Sequence, residues 1–335
     1  LVTPNSHQNY SGMLPGWMAG HYTRPQCRID LQPLAQAAQV RMVVDCITGM
    51  DAGRRCVALS DGRQIEYDLL SLDTGSEIDA SWLEAAGERL LPVKPLDGFF
   101  EAWPQVLAAA RENPAYRLVV VGGGAAGVEL ALAARHAFEC NDIDGSVDLV
   151  VSESGLLAGH AAGVQRRITR ALARAGVIVH HQRAAGVEAG VMLSDGTLLS
   201  ADSVIAATGA RAPVWLQPSG LKLDENGYIA VDAHHRSLSH SNVFAAGDVC
   251  ARQDLAMARS GVHAVHAGPV LAANLLATLS DRSLAPYQPR RRSLYLLACG
   301  PQYAIASWGG FSAEGGWVWR WKDRIDRGFI ARFSL

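Results

Sequence analysis

Three glycines spaced Gly122-x-Gly124-x-x-Gly127 stand between an apolar run, Leu118 to Val121, and an alanine-rich segment opening at Ala125. That order of residue types lets a strand end in a tight turn from which a helix starts. Gly122 permits the turn, Gly124 lets the backbone approach a pyrophosphate, and Gly127 lets the helix lie close on the strand. The helix would then offer unpaired N–H groups and its positive dipole end to phosphates. Two acids belong to the same pattern. Glu153 lies just past a second apolar run, Val147 to Val151, where a ribose hydroxyl would be held. It stands 26 residues beyond Gly127, with the polar stretch 141–145 absorbing the extra length. No Arg or Lys adjoins it to receive a 2′-phosphate, so the pattern reads as NAD(H) rather than NADP(H). Glu129, one turn into the helix, stands where an acid favours the helix dipole.

The elements that must position these residues come from a chain of 335 residues, enough for two or three domains. A net charge of −2 offers no basic field for nucleic acid. No apolar run reaches 18 residues, so no membrane span is expected. Six scattered cysteines show no metal-ligand spacing and read as ordinary buried thiols. No metal site is expected.

Sliding the chain against itself exposes a repeat. Val57 to Gly62, Asp68 and Thr74-Gly75 recur as Val191 to Gly196, Asp202 and Thr208-Gly209, at a constant offset of 134. Each copy reads as a strand, an Asp-Gly hairpin turn, a second strand, and an apolar strand ending in Thr-Gly. Two nucleotide-binding units are implied. In the second copy a glycine loop precedes the strand at 147–151; in the first, Leu1-Val2 would be the end of the matching strand. The first unit is therefore expected to lack its strand, glycine loop and helix, as a fragment or a degenerate variant would. The fold class that follows is α/β, with two Rossmann-like dinucleotide-binding domains, the first lacking its N-terminal βα unit, and a C-terminal tail region.

Between these landmarks, residues 5–22 are rich in Gly, Pro, Tyr and Trp and read as a long irregular loop. A short helix is expected at 28–38 and a longer one at 99–111. Residues 242–248 read as an apolar strand stopped by Gly247-Asp248, and a helix should run from 260 to 279. Arg290-Arg291-Arg292 opens a tail holding Trp308, Trp317, Trp319 and Trp321.

Taken together, the glycine loop, the Gly-Asp motif and the repeat resemble the two-dinucleotide flavoprotein disulfide reductase superfamily, in the branch of type II NADH dehydrogenases and sulfide:quinone reductases. The runs at 10–22, 261–275 and 319–329 look like the flavoprotein module fused to selenide, water dikinase. The resemblance implies FAD in the first unit and NAD(H) in the second. It implies that Asp248, beside Gly247, holds the flavin ribitol, and that Thr74-Gly75 and Thr208-Gly209 line the FAD and NAD sites. Gly261 and Val262 would start a helix aimed at the flavin, the loop from Gly12 to Pro15 would approach the isoalloxazine, and Glu129 would either bond the nicotinamide carboxamide or serve only the helix dipole. The sequence departs from the family by lacking the FAD glycine loop, by Thr3 at the ribose-acid position, and by Val262 and His266-Ala267 where glutamines flank a quinone. His263 and His266 are candidate proton donors or packed helix residues.

The expected domains are residues 1–103 with 219–288 for FAD, 104–218 for NAD(H), and 289–335 as an aromatic and basic interface segment. The function implied is hydride transfer from NADH to FAD and then to a quinone or a selenium or sulfur compound, with no side-chain catalyst needed for the first step. A non-turnover NAD/flavin-binding module for a fused or partner selenide, water dikinase is one alternative. A sulfide:quinone reductase is another; it requires paired cysteines, which Cys140, Cys250 and Cys299 do not obviously form. The tail is read as packing rather than membrane contact, with a homodimer contact left open. The expected location is cytoplasmic, with peripheral contact at the inner membrane face as a variant.

Overall fold

The computed structural model describes all residues except Ala258, Arg291 and Leu335, so Arg291 of the arginine run lies outside the described residues. The α-helices, in chain order, are α1 (Leu14–Met18), α2 (Leu31–Ala37), α3 (Leu96–Glu112), α4 (Ala125–Cys140), α5 (Ala162–Arg174), α6 (Gly261–Leu279) and α7 (Gly316–Arg332). The chain forms two compact units. Unit 1 comprises Leu1–Ser6, Gln39–Glu77 and Ala210–Ser293; unit 2 comprises His7–Ala38, Ile78–Gly209 and Leu294–Leu335.

Unit 2 is built on a five-stranded parallel sheet in the order Leu90–Pro92, Ser203–Ala206, Arg117–Val121, Ser146–Val151, Ile178–His181. The central strand is apolar throughout because both faces are covered. Leu118 and Val120 join a core with Val128, Leu132 and Phe138 of α4 and Phe99 and Trp103 of α3. Val119 and Val121 point the other way, to Leu83, Ala86, Val191 and Leu193. Helix α5 buries Val164, Ile168 and Leu172, four residues apart, and turns its arginines outward. A three-stranded antiparallel sheet (Leu294–Ala298, Ala304–Trp308, Phe311–Gly315) leads into α7, and Val318 and Trp319 pack against Ala304 and Ala306.

Residues 5–22 correct the expectation of an irregular loop. His7–Asn9 pairs antiparallel with Arg28–Asp30, a 3-10 turn covers Ser11–Met13, and α1 follows. Pro15 lies in the first turn of α1, where a missing N–H costs nothing, so proline there starts a helix rather than breaking one. The helix expected at 28–38 is shortened to α2, capped by Asp30 through Gln32 N. The compact units also divide the chain elsewhere than the expected domain limits. Helix α3 runs unbroken across residues 103 and 104, and its Phe99, Phe100 and Trp103 lie in the unit 2 core.

Unit 1 is a set of smaller sheets. Val2–Thr3 pairs in parallel with Val43–Val44, Leu70–Leu72 with Val243–Ala245, and Ile229–Val231 with Cys250–Arg252. A three-stranded antiparallel sheet joins Ile47–Asp51, Cys56–Leu59 and Gln64–Glu66. The repeat is borne out at the level of register: Val57 faces Ile65 as Val191 faces Leu199, again 134 residues on. In unit 2 the Thr-Gly strand Ser203–Ala206 pairs with the glycine-loop strand. Among the described residues of unit 1, no strand, glycine loop and helix stand in that place.

Helix α6 corrects the reading that nothing could span a membrane. Its 19 residues have a mean hydropathy of 1.3 over the most apolar window, enough by length and composition alone. It buries His263, Ala267, Leu271, Asn274 and Ala277 in unit 1, and the Asn274 amide bonds His234 O, Ala285 O and Ala285 N. Two of the six cysteines, Cys46 and Cys140, are exposed, against the expectation of six buried thiols.

Candidate dinucleotide site

In unit 2 the expected residues gather at one end of the sheet. Val121, Val150 and Ala206 are neighbours across three adjacent strands. The chain continues from those strands into Gly122, Glu153 and Thr208-Gly209, at the carboxyl edge where open α/β sheets take their ligands. Gly122 has φ +140, and a Cβ on it would lie 2.1 Å from Ala207 O. A Cβ on Gly127 would lie 1.9 Å from Gly122 O, so any side chain there would drive the helix off the loop. Gly123, which the spacing did not single out, is constrained less by backbone, with Val151 Cγ1 at 2.4 Å and Gly155 O at 3.0 Å from its would-be Cβ. Gly124 differs. It is the N-cap of α4, with open space where its side chain would be, and Ala125 begins the helix. No side chain caps this end and no acid occupies its first turn, which leaves the first N–H groups of α4 for another acceptor. The arrangement fits a pyrophosphate.

Around it, Glu153 is exposed after Ser146–Val151, in a turn closed by Gly155 N donating to Ser152 O at 2.9 Å. The Thr208 hydroxyl donates to Asp79 O.

Glu129 is held in a network that no spacing in the sequence announces. Ala298 N donates to its Oε1 at 2.7 Å. Burial pushes the carboxyl up to about 7, against the pull of Lys322 and of the Ala298 N–H and with the push of Asp326. Lys322 Nζ donates to Gly12 O at 2.6 Å and to Asp326 Oδ2 at 2.7 Å, and Tyr10 OH donates to Asp326 Oδ1 at 3.2 Å. Burial raises Asp326 as well, with Lys322 and Tyr10 opposing. One buried cation thus stands near two carboxyls whose pKa values burial raises and its own charge lowers. The signal that could have found it is Lys322 and Asp326, four residues apart on the face of α7 that also carries Val318 and Trp319. Met13, Leu14 and Pro15, expected near a flavin, are buried in unit 2.

In unit 1, Leu72 and Ala245 are partners, and the chain runs on from them to Thr74-Gly75 and to Gly247-Asp248. Gly75 and Gly247 have φ of +75 and +72, left-handed turns that a larger residue resists. Helix α6 starts at Gly261-Val262, and Ser260 makes no side-chain cap, which leaves its first N–H groups for another acceptor. These residues fit one side of a flavin nucleotide. The glycine loop that would complete the fit has no counterpart among the described residues. His263 is buried, 3.3 Å from Tyr287 OH, and burial lowers its pKa; it packs. All six cysteines are free, with Cys140 and Cys299 in unit 2 and Cys250 in unit 1, where burial pushes its thiol up to about 12.

Residues 5–268 match the model of the family described as pyridine nucleotide-disulphide oxidoreductase. The chain is 25% identical over 279 residues to the ferroptosis suppressor protein 1 of Taeniopygia guttata, covering 79% of this chain and 70% of that one. It is 31% identical over 239 residues to an NADH dehydrogenase-like protein of Mycobacterium tuberculosis, covering 67% of this chain but only 59% of the relative. The sulfide:quinone oxidoreductase of Aquifex aeolicus shares the fold, with a TM-score of 0.81 over 99% of this chain and 84% of that one, at 16% identity. The chain belongs to the pyridine nucleotide-disulphide oxidoreductase family, a family of FAD-dependent NAD(P)H oxidoreductases.

Proposed function

We propose that the protein takes a hydride from NADH held by unit 2 to FAD held by unit 1, and passes electrons to a small-molecule acceptor, a quinone or a selenium or sulfur compound. The observation that carries this reading is the cradle of Gly122, Gly123 and Gly127 around the open N-terminus of α4. A would-be Cβ on each would lie within 3.0 Å of a backbone oxygen, of Ala207, Gly155 and Gly122 in turn, while Gly124 has open space. When bound, the nicotinamide and the isoalloxazine supply the redox chemistry themselves. The chain's part is to hold and orient. The α4 N–H groups and dipole hold the diphosphate, Glu153 takes the ribose hydroxyls, and Thr208-Gly209 lines the same edge. On the other unit Thr74-Gly75, Gly247-Asp248 and the start of α6 at Gly261-Val262 hold the flavin nucleotide.

Glu129 orients the carboxamide. Its Oε1 accepts the Ala298 N–H, which leaves Oε2 as the oxygen to meet the carboxamide. With a pKa pushed up to about 7, Glu129 can serve as donor or acceptor near neutrality. Lys322 is a positioning residue, because its charge sets where that exchange occurs.

The test is anaerobic NADH titration of the protein reconstituted with FAD. Bleaching of the oxidised flavin band is expected; a band that persists at saturating NADH would overturn the reading. A second reading, a module that binds NAD(H) or flavin without turnover, is favoured by the divided sheets of unit 1. It predicts NADH binding with no multiple turnover across quinones and dyes. The expected selenide, water dikinase partner gains no support, since neither relative named above is one. A homodimer and a cytoplasmic location remain parts of the proposal.

A further inference from the structure

Unit 1 holds a cavity of about 310 Å³, lined only by residues between Asp224 and Ala267. Of the residues placed beside a flavin nucleotide, Gly247 lines it, whereas Thr74, Gly75, Asp248, Gly261 and Val262 do not. His235 lines it too and has no exposed surface. Its backbone is held in the left-handed region, at φ +62, by a turn in which its N–H donates to Asp232 O at 3.1 Å. The ring is fixed as well. Nδ1 stands 2.9 Å from Ala245 O, which can only accept, so Nδ1 carries the proton. Nε2 is then a bare lone pair, and it has no partner among the described residues. Burial lowers the pKa of the ring and so favours this neutral form. Ser260 Oγ, on the same cavity, is likewise buried and unpartnered among the described residues. Polar atoms left so in a protein interior are costly, and a ligand that pairs them removes the cost.

The lining narrows the chemistry of that ligand. A carboxylate or phosphate brings acceptors only, which cannot meet the Nε2 lone pair, and it would face Asp224 and Glu225. An ammonium would face Arg252 and Arg259. Arg252 is already engaged, donating to both oxygens of Asp254 at 2.7 Å and to Tyr287 O at 2.9 Å. A quinone or any other carbonyl compound without a polar hydrogen also leaves Nε2 unmet. A neutral hydroxyl is what fits, and Ser260 Oγ, able to donate or accept, can pair a second polar atom. Leu255, Met257, Ala264 and Ala267 make the rest of the lining apolar, and the Met257 sulfur suits contact with an aromatic ring. Arg259, whose guanidinium lies 3.4 Å over the Tyr228 ring, adds a flat cation on which a ring can stack. The volume stands at the small end of ligand pockets and suits one ring rather than a nucleotide.

We propose that this cavity binds a small neutral phenol, whose hydroxyl donates a hydrogen bond to His235 Nε2. The site stands apart from nucleotide binding and from the redox reading; either holds without the other.

The experiment is titration calorimetry of the whole protein, with and without added FAD, against p-cresol. The controls are 4-methylanisole and acetophenone, which lack the hydroxyl hydrogen, and benzoate, which is an anion. Binding of p-cresol in both states is expected, with the ether and the ketone weaker by about tenfold and no heat from benzoate. His235→Phe lowers p-cresol affinity about tenfold and removes its preference over the ether, and Ser260→Ala weakens it about threefold. Ala256→Trp, at an exposed residue of the lining, fills the cavity and abolishes binding while leaving the imidazole in place. That variant keeps the test sound where His235→Phe folds poorly. No heat from p-cresol, equal affinity for p-cresol and 4-methylanisole, or an Ala256→Trp protein that binds like the parent overturns the proposal. Binding of benzoate as tight as that of p-cresol also overturns it, by showing a protonated His235. So does competition between p-cresol and FAD, which would assign the cavity to the flavin.

Discussion

The two copies of the repeat begin alike and end differently. Both Asp-Gly turns close with the same bonds: Gly62 N donates to Leu59 O and Gly196 N to Leu193 O, with φ of +85 and +87 at the two glycines. Their partner registers agree over three residue pairs. The strands that follow part company. In unit 2 the Thr-Gly strand enters a five-stranded sheet beside the glycine loop; in unit 1 its counterpart belongs to a two-stranded one. What is local in sequence survives duplication intact, whereas what depends on a neighbouring strand survives only where the neighbour is present. Unit 2 also has a buried charge network.

Breaking that network should give the largest effect. Lys322→Met leaves Asp326 buried without its cation and should cost about 3–5 kcal/mol, read by chemical denaturation. It should also move Glu129 to a higher pKa, since Lys322 holds it down. A loss below 1 kcal/mol would show the network to be solvated, and the two units to be more alike than their structures suggest.

The next effect concerns pH. Glu129 rises from an ordinary 4.5 to about 7 in the folded protein, so the fold binds a proton that the unfolded chain releases. Its contribution to stability is full below pH 4.5, and is lost as pH rises through about 7. The amplitude is on the order of 3 kcal/mol. Glu129→Gln should flatten this part of the stability profile. A slope unchanged between pH 4.5 and 7 would place the titration elsewhere.

The smallest effect sharpens the comparison most directly. Gly75 sits at φ +75, whereas Gly209, its match in the repeat, lies outside the left-handed region, and neither has a neighbour within 4 Å of a would-be Cβ. Gly75→Ala should cost about 1–2 kcal/mol through backbone strain alone, and Gly209→Ala close to nothing. Equal melting temperatures for the two variants would show that the Thr-Gly turns have not diverged.

Features set within a few residues could be read before any coordinates. The glycine loop, the Asp-Gly hairpins and the apolar strand at 117–121 are each fixed by local backbone sterics or by burial on both faces. Features that pair distant residues could not. Glu129 meets Ala298 and Lys322, 169 and 193 residues later, and no periodicity links them. The stretch at 5–22 misled because Gly, Pro and Trp are loop-like in bulk. One proline in a first helical turn and burial of Met13, Leu14 and Met18 in the unit 2 core reverse that composition. The limit drawn at residue 103 failed to foresee that α3 carries one continuous apolar face.

Lys322 has a consequence for biosynthesis. The helix bearing Glu129 leaves the ribosome long before the lysine that tempers its charge. During translation that carboxyl waits without its cation until α7 arrives. A chain clipped by a protease ahead of residue 322 would keep the glycine loop and yet lose the cation that holds the Glu129 pKa down.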